Sequence, residues 1–165
     1  MVNYKFKLDN SCVIKGRQDL LIKFNCPYPE KLLQDKSLVG LKGKELENAL
    51  KKPFFVLRNL LVTIEYESDS YNFIIPKGYS WNGANVPFFA WLTIGQQKDP
   101  RFKLASCVHD YLCENKEVIG NNRYLSTLIF ETLCEYFGRF NAFKRWAMFH
   151  SVDNWQKFQG WKKCK

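Results

Sequence analysis

Two side chains with complementary chemistry sit next to each other in "LASCVHDYLC", residues 104 to 113: His109, an imidazole able to take up a proton, and Asp110, a carboxylate able to orient it or to hold a hard cation. Neighbours on a helix point about 100° apart, so the pair needs a further element to close a site. His109 shares a face with Ala105, Leu112 and Cys113 and leans inward, whereas Asp110 leans toward Ser106 and Glu114 at the rim. The third contributor is the stretch "GYSWNGANVP", residues 78 to 87. There Asn82 and Gly83 are suited to positive φ, Asn85 to bonds with nearby backbone, and Pro87 to fixing the exit. Folded onto the helix, this turn would offer the Asn82 and Asn85 amides to His109 or to a ligand. His109, Asp110 and Asn82 are therefore the catalytic candidates; the plainer alternatives are a core histidine satisfied by a carbonyl and a turn that merely leads from sheet to helix.

Other chemistry is thinner. His150 and Asp153 stand three apart on a later helix, and a His/His/Asp cluster with His109 would require that helix to cross the first. Cys113, four residues after His109, would make a thiol–imidazole pair, but no oxyanion-hole motif accompanies it. The sequence has no GxSxG, P-loop or HExxH, which leaves nucleophilic catalysis little support, and no cofactor is expected.

The elements that must position these residues fall into two halves. Period-two alternation marks "YKFKL" (4–8), "LLIKF" (20–24, after a turn containing Gly16), one long or two short strands in 53–66, and "YNFII" (71–75). Residues 60–75 read as an antiparallel hairpin, and 43–51 as a short helix within an inserted segment, 29–52. The second half is helical. Asp99 caps a helix with Pro100 at its first position and an end near Cys113; a second runs from about Asn122 to Gly138. A third, from about Asn141 to Phe158, repeats Phe143, Trp146, Ala147, His150 and Trp155 at core-like intervals. The expectation is one α+β domain over 1–165: a small antiparallel sheet from the N-terminal half covered by about three helices from the C-terminal half. Within it, 1–52 holds the N-terminal strands and insertion, 53–158 the core, and 159–165 a basic tail.

With 46% hydrophobic and 16% aromatic residues, the 165-residue chain has ample material for one core. The excess of 25 Lys and Arg over 16 Asp and Glu, net +9, favours anionic partners, although the basic clusters "YKFK", "KGKELENALKK", "FKRW" and "GWKKCK" are interleaved with acids. Six cysteines without a CxxC spacing are read as mostly buried thiols in a reducing cytoplasm. The N-terminus has no apolar signal region, and no run approaches the roughly 18 apolar residues of a spanning helix, so no membrane span is expected.

Three ordered segments, "PKGYSWNGANVP" (76–87), "HDYLC" (109–113) and "RYLSTLIF" (123–130), resemble the "PxGFxTDGASxP" turn, "HDYLY" helix and "RxxADxxF" helix of a phage and prophage family of small proteins of unknown function. The resemblance covers about residues 53–158. It departs where the family turn has Asp and Ser and this chain has Asn82 and Asn85, where the second helix has Asp and this chain Thr127, and where the final Tyr of the histidine motif is Cys113. The histidine–aspartate helix is also similar to that of phospholipase A2, in which the His is general base, the adjacent Asp binds calcium and a distant Asp orients the His. That comparison implies a carboxylate holding the imidazole and several oxygens on the cation; here Thr127 does not supply the charge and only Asp110 could serve the metal, so no metal site is expected.

The resemblance implies a protein made in the host cytoplasm, with incorporation in a phage particle as a further destination. Its expected role is non-enzymatic interaction with a host or phage protein, as a virion-associated component or an inhibitor of a host or defence protein. Trp81, Asn85, Phe88, Phe89, Trp91, Trp161, Lys162 and Lys163 are the binding candidates, with Trp155 in the same exposed patch. Two alternatives stand beside it: a hydrolase of lipid or cell-envelope substrate using His109 and Asp110, and a nucleic-acid-binding protein resting on charge alone.

Overall fold

A computed structural model describes residues 11–83 and 99–160. The chain is an α+β protein: strands fill the N-terminal half and the long helices the C-terminal half. Four antiparallel strands, β1 (Cys12–Lys15), β2 (Leu21–Phe24), β5 (Leu60–Tyr66) and β6 (Asp69–Ile75), form one sheet in the order β1-β2-β5-β6. A second, smaller sheet joins β3 (Leu33–Asp35), β4 (Phe54–Val56) and β7 (Ser80–Trp81). Residues 53–66 thus hold two short strands, one in each sheet, and a single expected sheet becomes two. β1 carries no clear alternation in sequence, and the expected strand at 4–8 lies outside the described residues.

Alternation explains the large sheet's two faces. Leu60, Val62, Ile64 and Tyr66 of β5 are buried together with Ile22, Phe24, Phe73 and Ile75, while the intervening residues point outward. The β5–β6 hairpin is tight, with Tyr66 opposite Asp69 and Glu67 at φ 56°, the left-handed conformation such turns need.

Helices cover the buried face. α1 (Gly43–Lys51) occupies the predicted short helix, though Ala49 is its one buried residue. α2 (Lys103–Glu114) follows a 3₁₀ turn at Pro100–Phe102, whose first free N–H, that of Arg101, is capped by Asp99 Oδ1 at 2.9 Å. Asn122 caps α3 (Arg123–Gly138) and Asn141 caps α4 (Ala142–Trp155), each amide oxygen accepting at 2.9 Å. No described helix is long and apolar enough to cross a membrane.

The facing of α4 differs from its expected stripe. Met148, Phe149, Val152 and Asp153 are buried, whereas Phe143, Trp146 and Trp155 are exposed. Both stripes are apolar in sequence, so periodicity had no polar side to choose against.

At Gly16 the β1–β2 turn touches α3 so closely that an added Cβ would lie 2.5 Å from Thr132 Oγ1. Gly16→Ala is expected to cost about 1–3 kcal/mol, with Thr132→Ala restoring part of it, read by chemical denaturation; an unchanged midpoint would contradict this packing.

Candidate functional site

The bend at 76–79 brings the small sheet under α2. Gly78 at φ 82° holds the third position of a turn closed by Tyr79 N–H donating to the Pro76 carbonyl at 3.0 Å, a conformation that favours glycine. Asn59 Oδ1 accepts from Lys77 N–H at 2.8 Å and fixes the same bend from β5's side. Trp81 and Asn82 then meet α2 one helical turn apart. Trp81 Nε1 donates to Ser106 Oγ at 3.0 Å, and Asn82 Nδ2, with the amide turned so that nitrogen faces the carboxylate, donates to Asp110 Oδ2 at 3.1 Å. Ser106 and Asp110, four residues apart, lie one above the other on the helix, which is why adjacent residues can read both.

The Asn82 amide therefore lands on Asp110, not on the imidazole. Asp110 is also no rim residue: it is 9% exposed, its neighbour His109 8%. Burial pushes the Asp110 carboxyl above the usual range, and the adjacent imidazole only partly offsets it. Asp110 Oδ1 stands 3.7 Å from His109 Nδ1, beyond a good hydrogen bond.

The other nitrogen of His109 is held by a residue that the sequence did not single out. Gln156, 2% exposed at the start of a π-helical turn (Gln156–Gly160) after α4, donates from Nε2 to His109 Nε2 at 2.8 Å and to Ser126 Oγ at 3.0 Å. Its Oε1 accepts from Thr127 Oγ1 at 2.7 Å. Phe130 closes the pocket, its ring 5.2 Å from the imidazole. Thr127 thus does reach toward His109, through a carboxamide. The one available signal was a polar residue continuing the buried run Phe149, Val152, Asp153.

This arrangement decides the proton. An amide N–H directed at Nε2 requires a bare lone pair there, so the imidazole carries its hydrogen on Nδ1. Nδ1, the nitrogen facing Asp110, is then a donor and cannot take a proton from water. A carboxylate in place of Gln156 would accept from Nε2–H and free Nδ1 as base; the carboxamide does the reverse. Cys113 Sγ lies 3.8 Å from Nδ1 and 3.9 Å from Nε2, nearly equidistant and so aligned with neither lone pair.

His150 and Asp153 separate. Asp153 accepts from Arg123 and pairs with Lys157 at 2.7 Å; burial would raise its carboxyl, but these two cations outweigh it and hold it below the usual range. His150 is exposed and packs against Trp146, ring centroids 4.7 Å apart. Among the described residues no cluster of His, Cys, Asp and Glu is arranged to hold a metal ion. Cys12, Cys26, Cys107, Cys113 and Cys134 are all buried.

Of the binding candidates, Trp81 is not at an exposed patch: it is 1% exposed, sandwiched near Phe54 and Tyr79, because its indole N–H finds Ser106 inside. Trp155 is 43% exposed. Asn85, Phe88, Phe89, Trp91, Trp161, Lys162 and Lys163 lie outside the described residues. A separate cleft of about 480 Å³ lies where the β1–β2 turn, α3 and α4 meet, lined by Arg17, Tyr124, Glu131, Arg145, Trp146 and Phe149 among others. Arg17 pairs with the largely buried Glu131 at 2.8 Å and lies over the Phe149 ring at 4.6 Å.

Fold and site together define an α+β protein built around a buried histidine–aspartate helix. Residues 58–152 match the family described as protein of unknown function (DUF1353), and the chain belongs to that family. The matched span contains both the strand pair β5–β6 and the helices α2 and α3 that carry the site. No curated protein and no solved structure matches the chain.

Long-range ¹H–¹⁵N correlation is expected to show His109 protonated at Nδ1 and bare at Nε2, and Gln156→Glu to place a proton on Nε2; an Nε2–H tautomer in the native protein would refute the assignment. Asp110→Asn tests the buried carboxyl. Because its folded pKa is raised, ionising it costs stability once pH climbs past the unfolded carboxylate value of about 3.9. The variant should melt higher than the native protein at pH 7, with the difference shrinking below about pH 4.

Proposed function

We propose that the protein acts by binding, without catalysing a reaction, as a phage- or prophage-encoded interaction protein: a virion-associated component or an inhibitor of a host or defence protein. The observation that carries this reading is the carboxamide of Gln156 on His109 Nε2, which leaves the histidine no basic nitrogen toward Asp110. The motif resemblance of residues 76–87, 109–113 and 123–130 supports the phage origin. The cleft between α3 and α4 supports the binding role, since Trp, Tyr and Arg are the side chains that dominate protein interfaces and Arg17, Tyr124, Arg145 and Trp146 converge there. A host or phage protein with an acidic surface is the partner this basic chain suits.

A hydrolase of lipid or cell-envelope substrate is the second reading, favoured by the convergence of Asn82 and His109 on Asp110. The two readings separate on paired variants. In quantitative affinity capture from the lysate of the bacterium that carries the gene, Trp146→Ala is expected to reduce enrichment of the partner about tenfold or more, and His109→Ala to leave it within twofold once folding is verified. Loss of the biological effect with His109→Ala alone, at intact partner capture, would instead establish the hydrolase.

A further inference from the structure

α4 is apolar on two sides. Met148, Phe149 and Val152 are packed inward, while Phe143 is 64%, Trp146 59% and, in the following π-helical turn, Phe158 82% exposed, with exposed His150 between them. Their spacing, three, four and eight residues, keeps all four on one side of the helix. A helix apolar all round is ordinarily buried all round, and this one has an uncovered stripe. The sequence also concentrates charge here. From Arg139 to Lys165 it has seven Lys and Arg against one acid, Asp153, so this stretch contributes +6 of the chain's +9. Although basic clusters interleaved with acids occur along the whole chain, the net charge is thus concentrated in this stretch.

We propose that this stripe lies on an anionic lipid surface, with Phe143, Trp146 and Phe158 at the headgroup level and Lys144 over the phosphates. Aromatic rings and lysines on one helix are the combination that holds a helix in the interface plane, where each cation near the surface adds to the attraction. The rings themselves argue against a nucleic acid. Phe143 stacks on Trp146 with ring centroids 6.2 Å apart, and His150 meets Trp146 tilted at 59° with centroids 4.7 Å apart, so neighbouring rings take up part of the ring face that a nucleobase would need. A nucleobase needs an open ring face, whereas the lipid interface accepts edges. The stripe shares Trp146 and His150 with the cleft between α3 and α4 but extends beyond it, since Phe143 and Phe158 line no part of that cleft.

The test is co-sedimentation with vesicles of equal parts phosphatidylglycerol and phosphatidylcholine, against phosphatidylcholine alone, at about 0.1 M and about 0.5 M salt. Partitioning into the anionic vesicles is expected to be about tenfold or more stronger than into neutral ones, and weaker at the higher salt. Phe143→Ser/Phe158→Ser is expected to weaken it about tenfold, with the thermal midpoint unchanged because both rings are exposed. Lys144→Glu is expected to weaken it several-fold. Equal partitioning into both vesicle types, or full binding by the folded double variant, would overturn the proposal. So would tighter binding to single-stranded DNA than to the vesicles in the same buffer, which would reassign the stripe to nucleic acid.

Discussion

One buried carboxamide ties the helical half together. Gln156 comes from the turn after α4, yet its partners are His109 on α2 and Ser126 and Thr127 on α3. A polar group at 2% exposure is tolerable only when its hydrogen bonds are made, and here both amide atoms are used. The network therefore acts as a register pin. If α4 slid by a turn, His109 Nε2 and the amide would lose their partners in an apolar interior, and the two hydroxyls would keep only the Arg123 carbonyl. Arg123 with Asp153 repeats the constraint one turn earlier, again joining α3 to α4.

The other side of the histidine is governed by the sheet. The glycine-dependent bend at 76–79 moves the chain from the edge of the four-stranded sheet into the small one, and Trp81 and Asn82 follow onto Ser106 and Asp110. His109 and Asp110 are thus reached by different segments, the histidine by the turn after α4 and the aspartate by the residue that follows β7. That division explains how two adjacent residues, both buried, have separate partners, and why the carboxyl is raised despite an imidazole beside it: burial outweighs a contact of 3.7 Å.

The buried histidine helix and the exposed face of α4 consequently occupy different parts of the molecule. The histidine helix is closed by amides, which donate and accept without charge and so fix geometry while leaving no strong base. The surface made by α4 is instead rich in exposed rings and cations, with the Arg17–Glu131 pair at one end and Phe158 at the other. Membership of an uncharacterised family over residues 58–152 is compatible with both, since that span includes the histidine and most of α4.

Local signals sufficed for much of the fold. The hairpin 60–75, the short helix 43–51, and the capping residues Asp99, Asn122 and Asn141 are all where alternation, spacing and cap chemistry put them, because each depends on neighbours close in the chain. The expected meeting of the 78–87 stretch with the His109 helix holds for its described residues Trp81 and Asn82, with the Asn82 amide on Asp110 in place of His109. Three things were not legible. The outward facing of Phe143, Trp146 and Trp155, the burial of Trp81, and the grip of Gln156 on His109 each depend on contacts across 25 or more residues or on which of two apolar faces found the core. Sequence alone fixed what each segment could form; only tertiary packing decided which polar atoms met, because a hydrogen bond's partner is chosen by distance in space, and spacing along the chain carries no record of it.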